Sequence, residues 1–392
     1  MYDFDKIVNR FNTTSLKWDI DKDELPMWVA DMDFAVCDEI TKAMKKRMEC
    51  EVFGYNIIPD EWYNAYINWW KNRHNFEIKK DWLLFSTGVV PSISSIVRRM
   101  TRPAEKVILQ TPVYNIFFNS IYNNGRYILE SQLVYENNEY HIDFNDLEEK
   151  LADPQTTLMI LCNPHNPVGK IWDFDTLKKI GDLCVKHNVI VLSDEIHCDI
   201  TLPNKNYIPF ASVSDNCKNN SITCIAPTKA FNIAGLQTSA IVIPNENIRN
   251  KVNRGINNDE IAEPNTFACY AAIAAFNYGG TWLDELKVYL VENRKIAYDF
   301  IKKELPMLDI VPQDATYLLW INCAKVCKDS VLLTKFIRKE TGLFLSDGFE
   351  YGKTGIDFIR MNIACPKTRL LDGLNRFKKG INKYLETKKA AA

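Results

Sequence analysis

The chain has 392 residues, 46% of them hydrophobic and 25% charged, a composition suited to a folded protein large enough for two domains. A formal net charge of −2 gives no electrostatic reason to expect nucleic acid or an anionic membrane as a partner. No apolar run reaches membrane-spanning length, and the opening MYDFDKIVNR lacks the apolar core of a secretion signal, so a cytosolic protein is expected.

Residues 1–48 show no clear period and are expected to pack as an N-terminal segment against a small domain. Within residues 49–280, the expected large domain, short β-rich runs alternate with amphipathic stretches. The strand candidates are residues 82–87, 106–110, 126–131, 157–163, 189–196, 221–227 and 238–244. Helical patterns fall between them at 91–100 and 175–187; in the second, Leu177, Ile180, Leu183 and Cys184 share a face. Several strand runs are almost wholly apolar, as in a mostly parallel sheet covered on both faces by helices. The fold expected is therefore α/β, with a mostly parallel seven-stranded sheet. From residue 281 the texture changes to long helical patterns at 282–305 and 367–385, with β-like runs at 316–322 and 358–362. These predict a smaller α+β domain at 281–392.

The eleven cysteines are scattered. Cys323 and Cys327 form a C-x3-C pair with no second Cys or His pair to complete a zinc site, so the cysteines read as reduced core residues and no metal is expected.

In an open α/β sheet, ligands collect at the carboxyl ends of the strands. Four strand ends here carry unusual polar residues. The run at 157–163 leads into Asn163-Pro164-His165-Asn166-Pro167-Val168-Gly169, too rich in Asn and Pro for helix or strand and suited to aiming amide side chains. The run at 189–196 ends Ser193-Asp194-Glu195-Ile196-His197, and the run at 221–227 ends Ala226-Pro227-Thr228-Lys229. The run at 82–87 passes through Gly88, Val89 and Val90 into a helix, whose free N–H groups would suit a phosphate. Each piece has a plain alternative: an ordinary turn at Gly88, a capping role for Asp194, a solvated Lys229. Because strand side chains alternate, Asp194 and His197 can share a ligand only if the strand stops near Asp194.

The order Tyr, Asn-Pro-x-Asn-Pro-x-Gly, Asp-x-x-His, Lys resembles the fold-type I pyridoxal-phosphate enzymes of the class I/II aminotransferase superfamily. More narrowly, Trp28-Val29-Ala30-Asp31-Met32-Asp33-Phe34, Phe53-Gly54-Tyr55 and the residues from Lys229 to Gly235 resemble its cystathionine β-lyase (C–S lyase) branch. The resemblance implies that pyridoxal 5′-phosphate is the cofactor, with Lys229 as its Schiff-base anchor and the base at the substrate α-carbon. It places Asp194 on the pyridine nitrogen, His197 and Asn166 near the phenolic oxygen, and Tyr114 against the ring. The Gly88–Val90 turn and the Thr228 hydroxyl would hold the phosphate. Arg360, with Asn166 and Ala30, would hold the α-carboxylate of a small amino-acid substrate. Tyr55 would reach the cofactor of a neighbouring subunit, implying a homodimer with shared active sites. The sequence departs from the family pattern twice: Ala226 stands where a serine is common, and Gly235-Leu236-Gln237-Thr238 lacks the usual phosphate-pairing arginine. The implied reaction is β-elimination from cystathionine or another cysteine S-conjugate. An aminotransferase is the near alternative, and a regulatory binding protein that keeps the fold is the more distant one.

Overall fold

The computed structural model describes residues 2–391. A seven-stranded sheet is built from β1 (Leu83–Ser86), β2 (Lys106–Leu109), β3 (Tyr127–Glu130), β4 (Thr156–Cys162), β5 (Ile190–Asp194), β6 (Ser221–Ile225) and β7 (Ser239–Val242). Its order is β1-β7-β6-β5-β4-β2-β3. β7 runs antiparallel to both neighbours, and the other pairings are parallel. All seven expected strands form, mostly a residue or more shorter at an end, because the flanking turn residues leave the ladder.

The apolar runs form central strands for the reason their composition suggests. In β4, Leu158, Ile160 and Cys162 enter a core with Ile93, Ile96 and Val97 of the helix Val89–Met100. Met159 and Leu161 enter the opposite core with Leu177, Ile180 and Cys184 of the helix Phe174–Lys186. Alternate side chains thus find apolar partners on both faces. The buried stripe of that second helix differs in one position from the expected face: Leu183 is only half-buried, and Gly181 is buried instead. A β-carbon on Gly181 would lie 2.3 Å from Cys217 Sγ, so the close approach of the neighbouring helix Asp215–Asn219 needs glycine there.

A second, four-stranded antiparallel sheet contains β8 (Asp309–Ile310), β9 (Leu318–Asn322), β10 (Ser346–Asp347) and β11 (Phe358–Asn362), in the order β8-β9-β11-β10. Leu319, Ile321, Ile359 and Met361 share a core with Leu370, Leu374 and Phe377 of the helix Lys367–Ala391. The N-terminal stretch is more ordered than its sequence suggests. Leu25–Pro26 pairs in parallel with Leu343–Phe344, and helices form at Asp38–Met48 and Asp60–His74. Trp62, Tyr66, Trp69 and Trp70 of the latter helix are buried. Two hydrogen-bonded strands, Leu133–Glu136 and Glu139–Ile142, also lie outside the expected set. All eleven cysteines are free thiols, and ten are buried.

Candidate active site

Because β4, β5 and β6 are parallel neighbours, their carboxyl ends lie side by side, with Cys162 opposite Asp194 and Asp194 opposite Cys224. A cleft of about 230 Å³ opens at these ends, and its lining includes Gly88, Tyr114, Asn166, Asp194, His197 and Lys229. Ala30, Val89, Val90 and Thr228 line it too. Thus ten residues singled out from scattered sequence positions meet around one space.

β5 stops at Asp194, and a turn through residues 196–199 carries His197 round to the same cleft. The condition set by strand parity is met. Asp194 is buried with its Oδ1 accepting from the Ile196 N–H at 3.1 Å, and desolvation pushes its pKa up to about 7. Glu195 points elsewhere: it accepts from Ser193 Oγ, the Phe210 N–H and the Tyr207 hydroxyl. Of the acidic pair, only Asp194 serves the cleft. Burial, then the charges of Lys229 and Arg360, push His197 down to about 3, which keeps the imidazole neutral. Among the described residues its Nδ1 has no hydrogen-bond partner.

The Asn-Pro segment is pinned at several points. The Asn163 amide donates to Ile208 O at 3.0 Å, His165 Nε2 lies 2.8 Å from Pro112 O, and Trp172 Nε1 donates to Cys162 O at 3.1 Å. Gly169 has φ +72° and leaves no room for a β-carbon beside Gln313, whose side chain would lie 2.7 Å away. Asn166 is thereby held where its Oδ1 accepts from Arg360 Nη1 at 3.3 Å. Arg360, on β11, is buried, donates to Trp28 O at 2.8 Å and sits over the Tyr351 ring, 4.8 Å from its centroid. Its Nε has no protein partner among the described residues.

Lys229 follows β6, and its Nζ donates to Ala30 O at 2.7 Å. Its pKa falls from 10.5 to about 8, lowered mainly by burial and also by Arg360, with Asp31 and Asp194 opposing. Tyr114 faces the same space, its hydroxyl pushed up to about 12 by burial. Val89 and Val90 occupy the first turn of a helix, where N–H groups have no intrahelical acceptor. Ala226 is buried, and Gln237 and Thr238 line the cleft where a cation is absent from the sequence. Tyr55 is fully exposed and does not line the cleft of its own chain.

Sequence reasoning passed over several residues that shape this floor. Asn232 accepts from Met32 N and donates to Met32 O and Phe34 O, each at 3.0 Å. Asn362 donates to Val29 O at 2.7 Å and Asp31 O at 2.6 Å, and Tyr317 Oη donates to Ala30 O at 3.1 Å. Cys162 lines the cleft beside Asp194. Asn362 closes the run already noted at 358–362, but nothing local marks Tyr317. Away from the cleft, Asp199 Oδ1 accepts from Trp69 Nε1 and lies 2.9 Å from His74 Nε2, a buried pair next to Cys198.

Comparison with known proteins agrees with this architecture. The chain is 42% identical over 385 residues to cystathionine beta-lyase PatB of Bacillus subtilis, covering 97% of this chain and all of that one. It is 31% identical to protein MalY of Escherichia coli, covering 95% of this chain and 97% of MalY. Cystalysin from Treponema denticola, whose crystal structure contains pyridoxal 5′-phosphate, superposes with a TM-score of 0.95 at 33% identity, covering 98% and 99% of the two chains. The family model for aminotransferase class I and II matches residues 22–377, and the chain belongs to that family.

Proposed function

We propose that this chain is a pyridoxal-phosphate-dependent carbon–sulfur β-lyase acting on L-cystathionine or a related cysteine S-conjugate. The cleft's donor set fits the cofactor. Asp194 is a desolvated carboxylate that gains from a protonated ring nitrogen beside it, and His197, whose Nδ1 has no partner among the described residues, lines the same cleft. Val89 and Val90 offer helix-terminal amides and Thr228 a hydroxyl for the phosphate, in place of the missing cation.

Bound here, pyridoxal phosphate supplies an aldehyde for covalent attachment and an electron-accepting ring. The protein does the rest. Lys229 is the covalent anchor, and its amine, when free, takes the proton from the substrate α-carbon. Asp194 would keep the ring nitrogen protonated, Asn166 and His197 would hold the phenolic oxygen, and Tyr114 would pack against the ring. Arg360 clamps the substrate α-carboxylate with its planar fork, a position that Trp28 O and Asn166 prepare. With the α-proton gone, the β-carbon–sulfur bond breaks with its electron pair leaving on sulfur. One water completes the balance, giving a thiol, pyruvate and ammonia. Tyr55 serves the site of a second copy, so the working unit is a homodimer with shared sites.

The observation that carries this reading is the convergence of Lys229, Asp194 and Arg360 in a chain related end to end to a cystathionine beta-lyase. Purified protein given L-cystathionine is expected to show a visible cofactor band and to release pyruvate and thiol in equal amounts. A cofactor band without pyruvate, with amino-group transfer to an added keto acid, assigns an aminotransferase instead. No cofactor band after adding pyridoxal phosphate overturns the assignment of Lys229.

A further inference from the structure

The Ala30 carbonyl is the only described acceptor of the Lys229 amine, and it is fixed from several sides. Asn362 grips the carbonyls on either side of it, Val29 O at 2.7 Å and Asp31 O at 2.6 Å. Asn232 holds the next turn of chain through Met32 and Phe34. Tyr317 Oη, fully buried, donates to Ala30 O at 3.1 Å, beside the Lys229 bond at 2.7 Å. A carbonyl has two lone pairs, so both donors are satisfied at once. The Tyr317 hydroxyl is held well above its usual pKa by burial and remains a donor.

This arrangement has a chemical consequence for Lys229. A neutral amine has two N–H groups and one lone pair. A carbonyl can accept only an N–H, so bonding to Ala30 O leaves the lone pair unspent. The buried Tyr317 hydroxyl is turned onto the same carbonyl and does not consume that lone pair. Tyr317 also occupies one acceptor site of Ala30 O, which weakens the carbonyl's attraction for an ammonium. The other charged or titratable groups facing Lys229 are Asp31 from the N-terminal segment, Asp194 from β5, Arg360 from β11 and His197 from the turn after β5.

We propose that Tyr317 is a positioning residue that acts through the Ala30 carbonyl, orienting the free Lys229 amine with its lone pair open toward the substrate α-carbon. The role rests on the lyase reading, in which that amine removes the α-proton. It assigns no contact between Tyr317 and substrate or cofactor.

The test is Tyr317→Phe, which keeps the ring and its packing and removes only the hydroxyl. In the cofactor-free protein, the pH dependence of Lys229 reductive methylation, read by peptide mass spectrometry, reports the basicity of the amine without any turnover. The Phe variant is expected to titrate higher than wild type by about half a pH unit or more, the size of one buried hydrogen bond. In the loaded enzyme, exchange of the substrate α-hydrogen with deuterated solvent is expected to slow about tenfold, with the substrate KM within twofold of wild type. An unshifted titration, or an unchanged exchange rate, overturns the proposal. So does a loss of stability alone. A wild-type enzyme that exchanges no α-hydrogen and releases no thiol refutes the lyase reading, while the cofactor-free titration still decides whether Tyr317 governs the amine.

Discussion

Asp194→Asn separates a functional carboxylate from a structural one. Burial raises Asp194 from 3.8 to about 7 in the cofactor-free protein. The folded state therefore holds a proton on this group between about pH 4 and pH 7, while the unfolded chain has already released it. The stability this group contributes is full below its unfolded pKa and is lost as pH rises through 7. At about 1.36 kcal/mol per unit, the roughly three-unit shift corresponds to as much as about 4 kcal/mol. Asparagine has nearly the same shape and never ionises. Cofactor-free Asp194→Asn should match wild type near pH 4 and be more stable at pH 8, by up to that amount. Urea unfolding at both pH values and one fixed protein concentration measures the difference. The same substitution should cost about 100-fold or more in turnover, because the charge opposite the ring nitrogen is gone. Equal stability at pH 8, or a wild-type advantage there without cofactor, refutes the reasoning that the cleft holds this charge for a ligand.

Loading of the cofactor-free protein should track the Lys229 amine. Its rate of reaction with pyridoxal phosphate, followed by absorbance, should rise with pH and level off above about 8, well below the 10.5 of an ordinary lysine. Arg360→Ala should retain the cofactor band and lower kcat/KM for cystathionine by about 10- to 100-fold, the worth of a charge-assisted hydrogen bond. Lys229→Ala and Tyr55→Ala chains should each be inactive or nearly so. Mixed and allowed to exchange subunits, they should regain about a quarter of wild-type activity, because half the dimers then hold one intact shared site. Recovery absent after proven exchange places Tyr55 outside the partner's site.

The site was legible where local chemistry and sheet topology speak together. Parallel strands buried on both faces must be apolar throughout, so a polar cluster just past such a run marks the end where ligands gather. That logic locates Asn166, Asp194 and Lys229, and strand parity states what His197 requires. It did not distinguish Asp194 from Glu195 except through the family pattern; the distinction lies in Tyr207 and Phe210, which claim Glu195 from outside the cleft. The floor beneath Lys229 was legible only as a resemblance. Trp28–Phe34 has no period because its backbone groups are not paired in a regular ladder. Asn232, Tyr317 and Asn362 bond to it individually, from about 200 to more than 330 residues away. Buried backbone groups must find partners somewhere, but sequence does not say which distant side chains will supply them. The conspicuous Trp-Val-Ala-Asp-Met-Asp-Phe stretch therefore has a physical reading: it is an irregular strap that places Trp28 O under Arg360 and, two residues on, Ala30 O under Lys229. One short segment sets the separation between Arg360 and Lys229, so a change in its backbone displaces both groups together.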